Sequence, residues 1–133
     1  MRVEQLRFPV RVETHGQLER VRFIRNVCRE WMTHHTQYIG PAEQSAWWHR
    51  EDPELWLFDY LGYAHISRRN LRRWISLGVL PEARGKGLGT RIYSSFDDVW
   101  AEIRSDNIAS RRAADKAGYT LIEEMDGVVV MHG

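Results

Sequence analysis

The 133-residue sequence contains one cysteine, Cys28, so no internal disulfide can form and a reducing cytoplasm is the expected compartment. No apolar run approaches the ~20 residues that a membrane-spanning helix needs, so no membrane partner is expected. Met1 to Gln5 lacks the apolar segment of an export signal, and none is expected. An excess of charge is also missing. Nineteen Lys and Arg stand against 18 Asp and Glu, a net charge of +1, which offers no global argument for nucleic acid. Repeats, low-complexity stretches and linkers are absent, so a single domain over residues 1–133 is expected.

What remains is an ordinary globular composition, 43% hydrophobic and 28% charged, with six tryptophans. Local charge is less even. Arg68, Arg69, Arg72 and Arg73 cluster around one turn, and Arg111 and Arg112 sit near Lys116. A solvated surface accounts for most of these, while an anionic ligand could use two or three.

Periodicity orders the chain. Leu6, Phe8, Val10 and Val12 alternate as a first strand, with Pro9 forcing an edge or bulge. Thr14 and Gln17 form a capping box, and Leu18, Val21, Ile24, Cys28 and Trp31 recur at helical spacing to about residue 33. Gly40-Pro41 opens a second helix, and Pro53 lies beyond its end. Strands are expected over Trp56–Tyr60, Gly62–Ile66 and Arg73–Leu80, with a turn near Asn70 and a stop at Pro81. A helix follows over Gly87–Asp97, a strand over Val99–Arg104, and a helix from Asn107 to Gly118. Asp126-Gly127 joins two last strands. The order β-α-α-β-β-β-α-β-α-β-β predicts an α/β fold: a mixed, mostly antiparallel sheet covered by helices.

The chemistry concentrates where the strand ending at Leu80 turns through Arg84-Gly85-Lys86-Gly87-Leu88-Gly89-Thr90 into a helix. Alternating glycines let backbone N–H groups approach a phosphate closely, and Arg84 and Lys86 add charge-assisted contacts. The same residues also suit a plain strand–turn–helix whose glycines only relieve strain.

The run V-x-P-x-x-R-G-x-G-x-G at Val79–Gly89, followed by N-x-x-S-x5-K-x-G-Y at Asn107–Tyr119, closely resembles the GNAT superfamily of N-acetyltransferases. The element order is similar to that family's as well. The resemblance implies acetyl-CoA as cofactor and a strand ending at Leu80 that splays from the Val99–Arg104 strand. Pantetheine would bond the backbone of Leu77, Gly78 and Val79. The N–H groups of Arg84, Gly85, Lys86, Gly87, Leu88, Gly89 and Thr90 would hold the pyrophosphate, with Asn107 and Ser110 beside the pantetheine arm. Asn107 is equally suited to capping its helix. A small-molecule amine would attack the thioester directly, and no metal is called for. A monomer or homodimer is expected.

The sequence departs from that family in two places. The tyrosine that protonates the leaving thiolate in many relatives is replaced by Ala114, and the usual glutamate before the fingerprint is absent from Arg73-Trp74-Ile75-Ser76. His65 and His35 are the candidate catalytic replacements, with His34 beside them; a hydrogen-bonded structural role is the alternative for His65, and solvent exposure for the other two. Arg25, Met32, Thr33, Trp47 and Trp48 fall in a segment similar to GNAT enzymes acting on amino groups of nucleotide-linked sugars, which makes them candidate acceptor contacts and an amino sugar or nucleotide-linked amine the favoured acceptor. Both tryptophans also suit a helix core. The alternatives are acetylation of a protein or nucleic-acid-borne amine, or a non-catalytic acyl-CoA-binding module.

Overall fold

The computed structural model describes residues 9–133. Its elements are β1 Val10–Arg11, α1 His15–Val27, α2 Pro41–Glu51, β2 Glu54–Phe58, β3 Gly62–Arg69, β4 Arg72–Val79, α3 Leu88–Ser94, β5 Trp100–Arg104, α4 Ile108–Lys116, β6 Thr120–Met125 and β7 Val128–His132. The order is the expected one. Leu6 and Phe8 of the expected first strand lie outside the described residues. The sheet runs β1-β2-β3-β4-β5-β7-β6, antiparallel at every pairing except β4 with β5.

Alternation along the central strands gives each sheet face its own core. Tyr63 of β3 and Leu55 and Leu57 of β2 pack with Val21, Ile24 and Cys28 from α1 and its end. Ala64, Ile66 and Ile75 face the other way, against Leu88, Ile92 and Tyr93 of α3 and Ala114 of α4. Tight hairpins fix the registers. Asn70 and Leu71 both have positive φ (54° and 63°), as do Asp126 and Gly127 (55° and 77°), the two-residue geometry that matches strand twist.

Two helices end sooner than their periodicity predicts. α1 stops at Val27, and Arg29–Trp31 continues as a 3-10 turn. There the chain leaves the helix axis: Arg104 stacks its guanidinium 5.4 Å from the Trp31 ring, and the Thr33 hydroxyl donates to the Glu102 carbonyl at 2.9 Å. α3 stops at Ser94, where Ser94 and Ser95 hydroxyls donate to the carbonyls of Thr90 and Arg91 and compete for the helix's own acceptors.

Candidate active site

The parallel contact between β4 and β5 is confined to Trp74 with Trp100 and Ile75 with Ala101. Beyond Ile75 the strands part, so Leu77, Gly78 and Val79 border an opening instead of a neighbouring strand. The segment after α1 crosses this opening, tied by Thr33 to the backbone of β5. Cavities lie on both sides of it. Among the described residues only Met32 lines both.

The smaller cavity, about 470 Å³, is built from Leu77, Gly78 and Val79, the glycine turn, and the start of α4. Gly85 and Gly87 have φ of +75° and +84°, which a side chain disfavours, and a Cβ at either would point into open space. The backbone N–H groups from Gly85 through Thr90 find no acceptor among the described residues, whereas Arg84 and Arg91 on either side donate to Pro81 and Gly87. Unspent donors beside open space fit a pyrophosphate. Arg84, Arg112 and Lys116 line the same cavity with no carboxylate among its lining residues, which favours an anion.

Several expected cofactor residues have additional tasks. Asn107 caps α4, its Oδ1 accepting from the Ser110 N–H at 3.3 Å, and still borders the cavity. Gly89 permits α3 to approach α4, because a Cβ there would sit 3.3 Å from Ala113 Cβ. Arg84 turns back onto the strand end, donating from Nε to the Val79 carbonyl at 3.1 Å. Lys86 does not line the cavity with its neighbours. Gly78 lets the Tyr63 ring lie across β4, since a Cβ would come within 2.8 Å of it.

The larger cavity, about 880 Å³, lies under α1 and α2 and holds His65, Ser76, Trp47, Arg25, Met32 and Thr33. His65 sits opposite Ser76 across the β3–β4 ladder, with Trp47 edge-on to its ring at 5.3 Å. Burial pushes its imidazole below the ordinary value, partly opposed by Glu54, so it is an unprotonated base at neutral pH. Burial likewise disfavours ionisation of Glu102, yet hydrogen bonds from Arg69 and His34 prevail and hold its carboxyl below the usual range.

The geometry gives several of the expected residues other partners. Trp48 does not line the cavity; it packs edge-on to His15 at 5.5 Å. His35 Nδ1 lies 2.6 Å from the Arg25 guanidinium and must accept from it, so that nitrogen is already spent. The contact favours His65 over His35 as the candidate base. Arg25 itself, 7% exposed, donates to the carbonyls of His35 and Gln37 and so clamps the loop that roofs the cavity. Ala114 is fully buried against the sheet, so the position of the familiar tyrosine faces the core; Tyr93, unremarked in the sequence, instead brings a phenol to the smaller cavity. Its hydroxyl is 2.7 Å from Ser110 Oγ, and burial pushes its pKa up to about 12.

A splayed strand pair beside a cradle of free amides and cations defines a binding domain for a long, pyrophosphate-bearing ligand. The chain belongs to the acetyltransferase (GNAT) family, whose model matches residues 16–119; it is an N-acetyltransferase with acetyl-CoA as its acyl donor. Its fold is similar to a ribosomal-protein-alanine N-acetyltransferase from Brucella melitensis at TM-score 0.75 and 16% identity, covering 95% of this chain and 98% of that one. It is similar to a phosphinothricin acetyltransferase from Sinorhizobium meliloti in complex with AcCoA, at TM-score 0.75 and 18% identity over 96% and 88% of the two chains. A spermidine N-acetyltransferase from Vibrio cholerae, in complex with CoA and spermine, aligns at TM-score 0.73 and 11% identity over 96% and 94%. No curated protein matches the sequence.

Proposed function

We propose that the enzyme acetylates a small-molecule amine that enters the larger cavity and meets the thioester at the Met32 boundary. The observation that carries this reading is the pair of cavities divided by one strap, each chemically suited to a different reactant. Acetyl-CoA supplies an activated acyl group. The amides of Gly85 to Thr90 hold its pyrophosphate, and the backbone of Leu77 to Val79 orients the pantetheine arm. His65 takes the proton that the attacking amine must lose, the role for which a buried neutral imidazole is suited. No phenol stands at position 114, so the leaving thiolate receives its proton from water or from the Tyr93–Ser110 pair. Trp47 offers a flat apolar wall, and an amino sugar or nucleotide-linked amine is the favoured acceptor. Among the described residues no helix is long and apolar enough to cross a membrane, and the lone Cys28 suits a reducing cytoplasm. The reading is tested by thiol release from acetyl-CoA with a panel of amino sugars, nucleotide-linked amines and diamines. Turnover with at least one small amine is expected; tight acetyl-CoA binding with no turnover on any would overturn it.

A further inference from the structure

The walls of the larger cavity carry unbalanced charge. Four guanidiniums, Arg25, Arg50, Arg68 and Arg69, face two carboxylates, Glu43 and Glu102. Glu102 is already committed to Arg69 and to His34. Arg50 pairs with Glu51, at the exposed rim. Arg25 and Arg68 have no salt bridge among the described residues. For Arg68, on the exposed end of β3, solvent screens the charge. Arg25 is different: it is buried, its hydrogen-bond acceptors are neutral carbonyls, a side-chain amide and an imidazole, and burial lowers its pKa. Glu43 favours its charge only from a distance. A buried cation without a contacting anion is costly, and an anion in the adjoining cavity relieves that cost.

A surplus of positive charge has a second consequence. A free amine is itself a cation at neutral pH, so a cavity of this kind repels it and favours its neutral, nucleophilic form. A diamine or polyamine, with cations at both ends, is disfavoured twice. An amine that also bears a negative group is attracted at one end and deprotonated more readily at the other.

We infer that the acceptor is an amine carrying an anionic group, a phosphate or carboxylate, held by the unbalanced arginines of the larger cavity while the amine reaches His65. This rests on the proposed assignment of that cavity to the acceptor. Arg68 at the mouth draws the anion in, and Arg25 in the wall supplies the field deeper down. Neither touches the reacting atoms, so both act through binding.

The test is calorimetric titration of matched probes, with coenzyme A saturating so that the anion site of the glycine turn is filled. Phosphoethanolamine is compared with ethanolamine, β-alanine with propylamine, and putrescine stands as the dication. At least one probe bearing an anionic group is expected to bind on the order of tenfold more tightly than its partner that lacks the anion, and putrescine most weakly. Phosphate against carboxylate preference separates the two sources of charge. Arg68→Glu, at an exposed position, is expected to abolish the tenfold preference by weakening binding of the anionic probes and strengthening that of cationic ethanolamine; Arg50→Glu provides a second rim variant. Putrescine binding as well as the anionic probes, or a preference that survives both variants, overturns the inference. Thiol release is measured with the same probes. Transfer to amines without charge preference removes this inference and leaves the proposed function standing, whereas charge-selective binding with no transfer to any amine removes the proposed function and the acceptor assignment with it, leaving only an anion site in that cavity.

Discussion

The two cavities are built from different materials. The smaller one presents backbone amides, glycines and three cations, with no carboxylate in its wall. The larger one is made of long side chains: arginines, histidines, tryptophans and two glutamates that partly neutralise one another. A backbone-built site depends on dihedral angles, which few residues other than glycine satisfy when φ is positive. A side-chain-built site depends on which groups a roof and a sheet bring together, and many sequences reach the same result. On the proposed assignment, the first would therefore tolerate little variation around one ligand, while the second could be retuned for acceptor without disturbing the fold.

Substitutions should separate the two. The largest effect is expected from Gly87→Val, which places a β-branched residue at φ +84° and a side chain in the open space of the cradle. Coenzyme A affinity should fall on the order of 100-fold, from about 1–3 kcal/mol of backbone strain plus steric exclusion. Calorimetry checks this, with circular dichroism expected to show an intact fold. Gly89→Val offers the contrast: its Cβ meets Ala113, so the melting temperature should fall together with cofactor affinity. Arg25→Met should raise the acceptor KM by loosening the 35–37 loop and should cost about 1.5–3 kcal/mol of stability for each bond lost to a charged donor, with coenzyme A affinity unchanged. Equal losses at both cavities would show that the strap couples them tightly and that the division fails.

Smaller effects probe the missing proton donor. Ala114→Tyr should restore no activity, because Ala114 has no exposed surface; overpacking should destabilise the protein by about 1–3 kcal/mol, read from chemical denaturation. Tyr93→Phe removes the hydroxyl paired with Ser110 and should cost about 0.5–1.5 kcal/mol. A fall in kcat at unchanged acceptor KM in that variant would place Tyr93 on the proton path to the leaving group.

The same contrast explains what the sequence made legible. The glycine turn, the Asn107 cap and the Asp126-Gly127 hairpin are each local, so residue type and spacing suffice to locate them. The early end of α1 was hidden because tertiary contacts set it: Trp31 keeps helical phase with Val27 and Ile24 yet packs against Arg104. Arg25 read as an acceptor contact and does line the larger cavity, but its bonds to loop carbonyls are concealed by sequence distance. Trp47 and Trp48 are adjacent and indistinguishable by composition; only the direction of α2 turns one into the cavity and the other onto His15. Tyr93 carried no signal, since a tyrosine on an apolar helix face reads as core.

The central claim is that one cavity holds the cofactor and the other activates the amine through His65. Its most direct test is the pH dependence of kcat/KM for wild type and His65→Gln, with coenzyme A affinity measured on both. Because burial holds His65 below the ordinary imidazole value of 6.5, wild-type kcat/KM should show, in addition to the limb set at higher pH by the acceptor amine itself, an acid limb below that pH as the base becomes protonated. His65→Gln should lose that limb and on the order of 10²–10⁴ in kcat while binding coenzyme A as tightly as wild type. Turnover that survives the substitution with its acid limb intact, or a matching loss of coenzyme A affinity, would contradict the account.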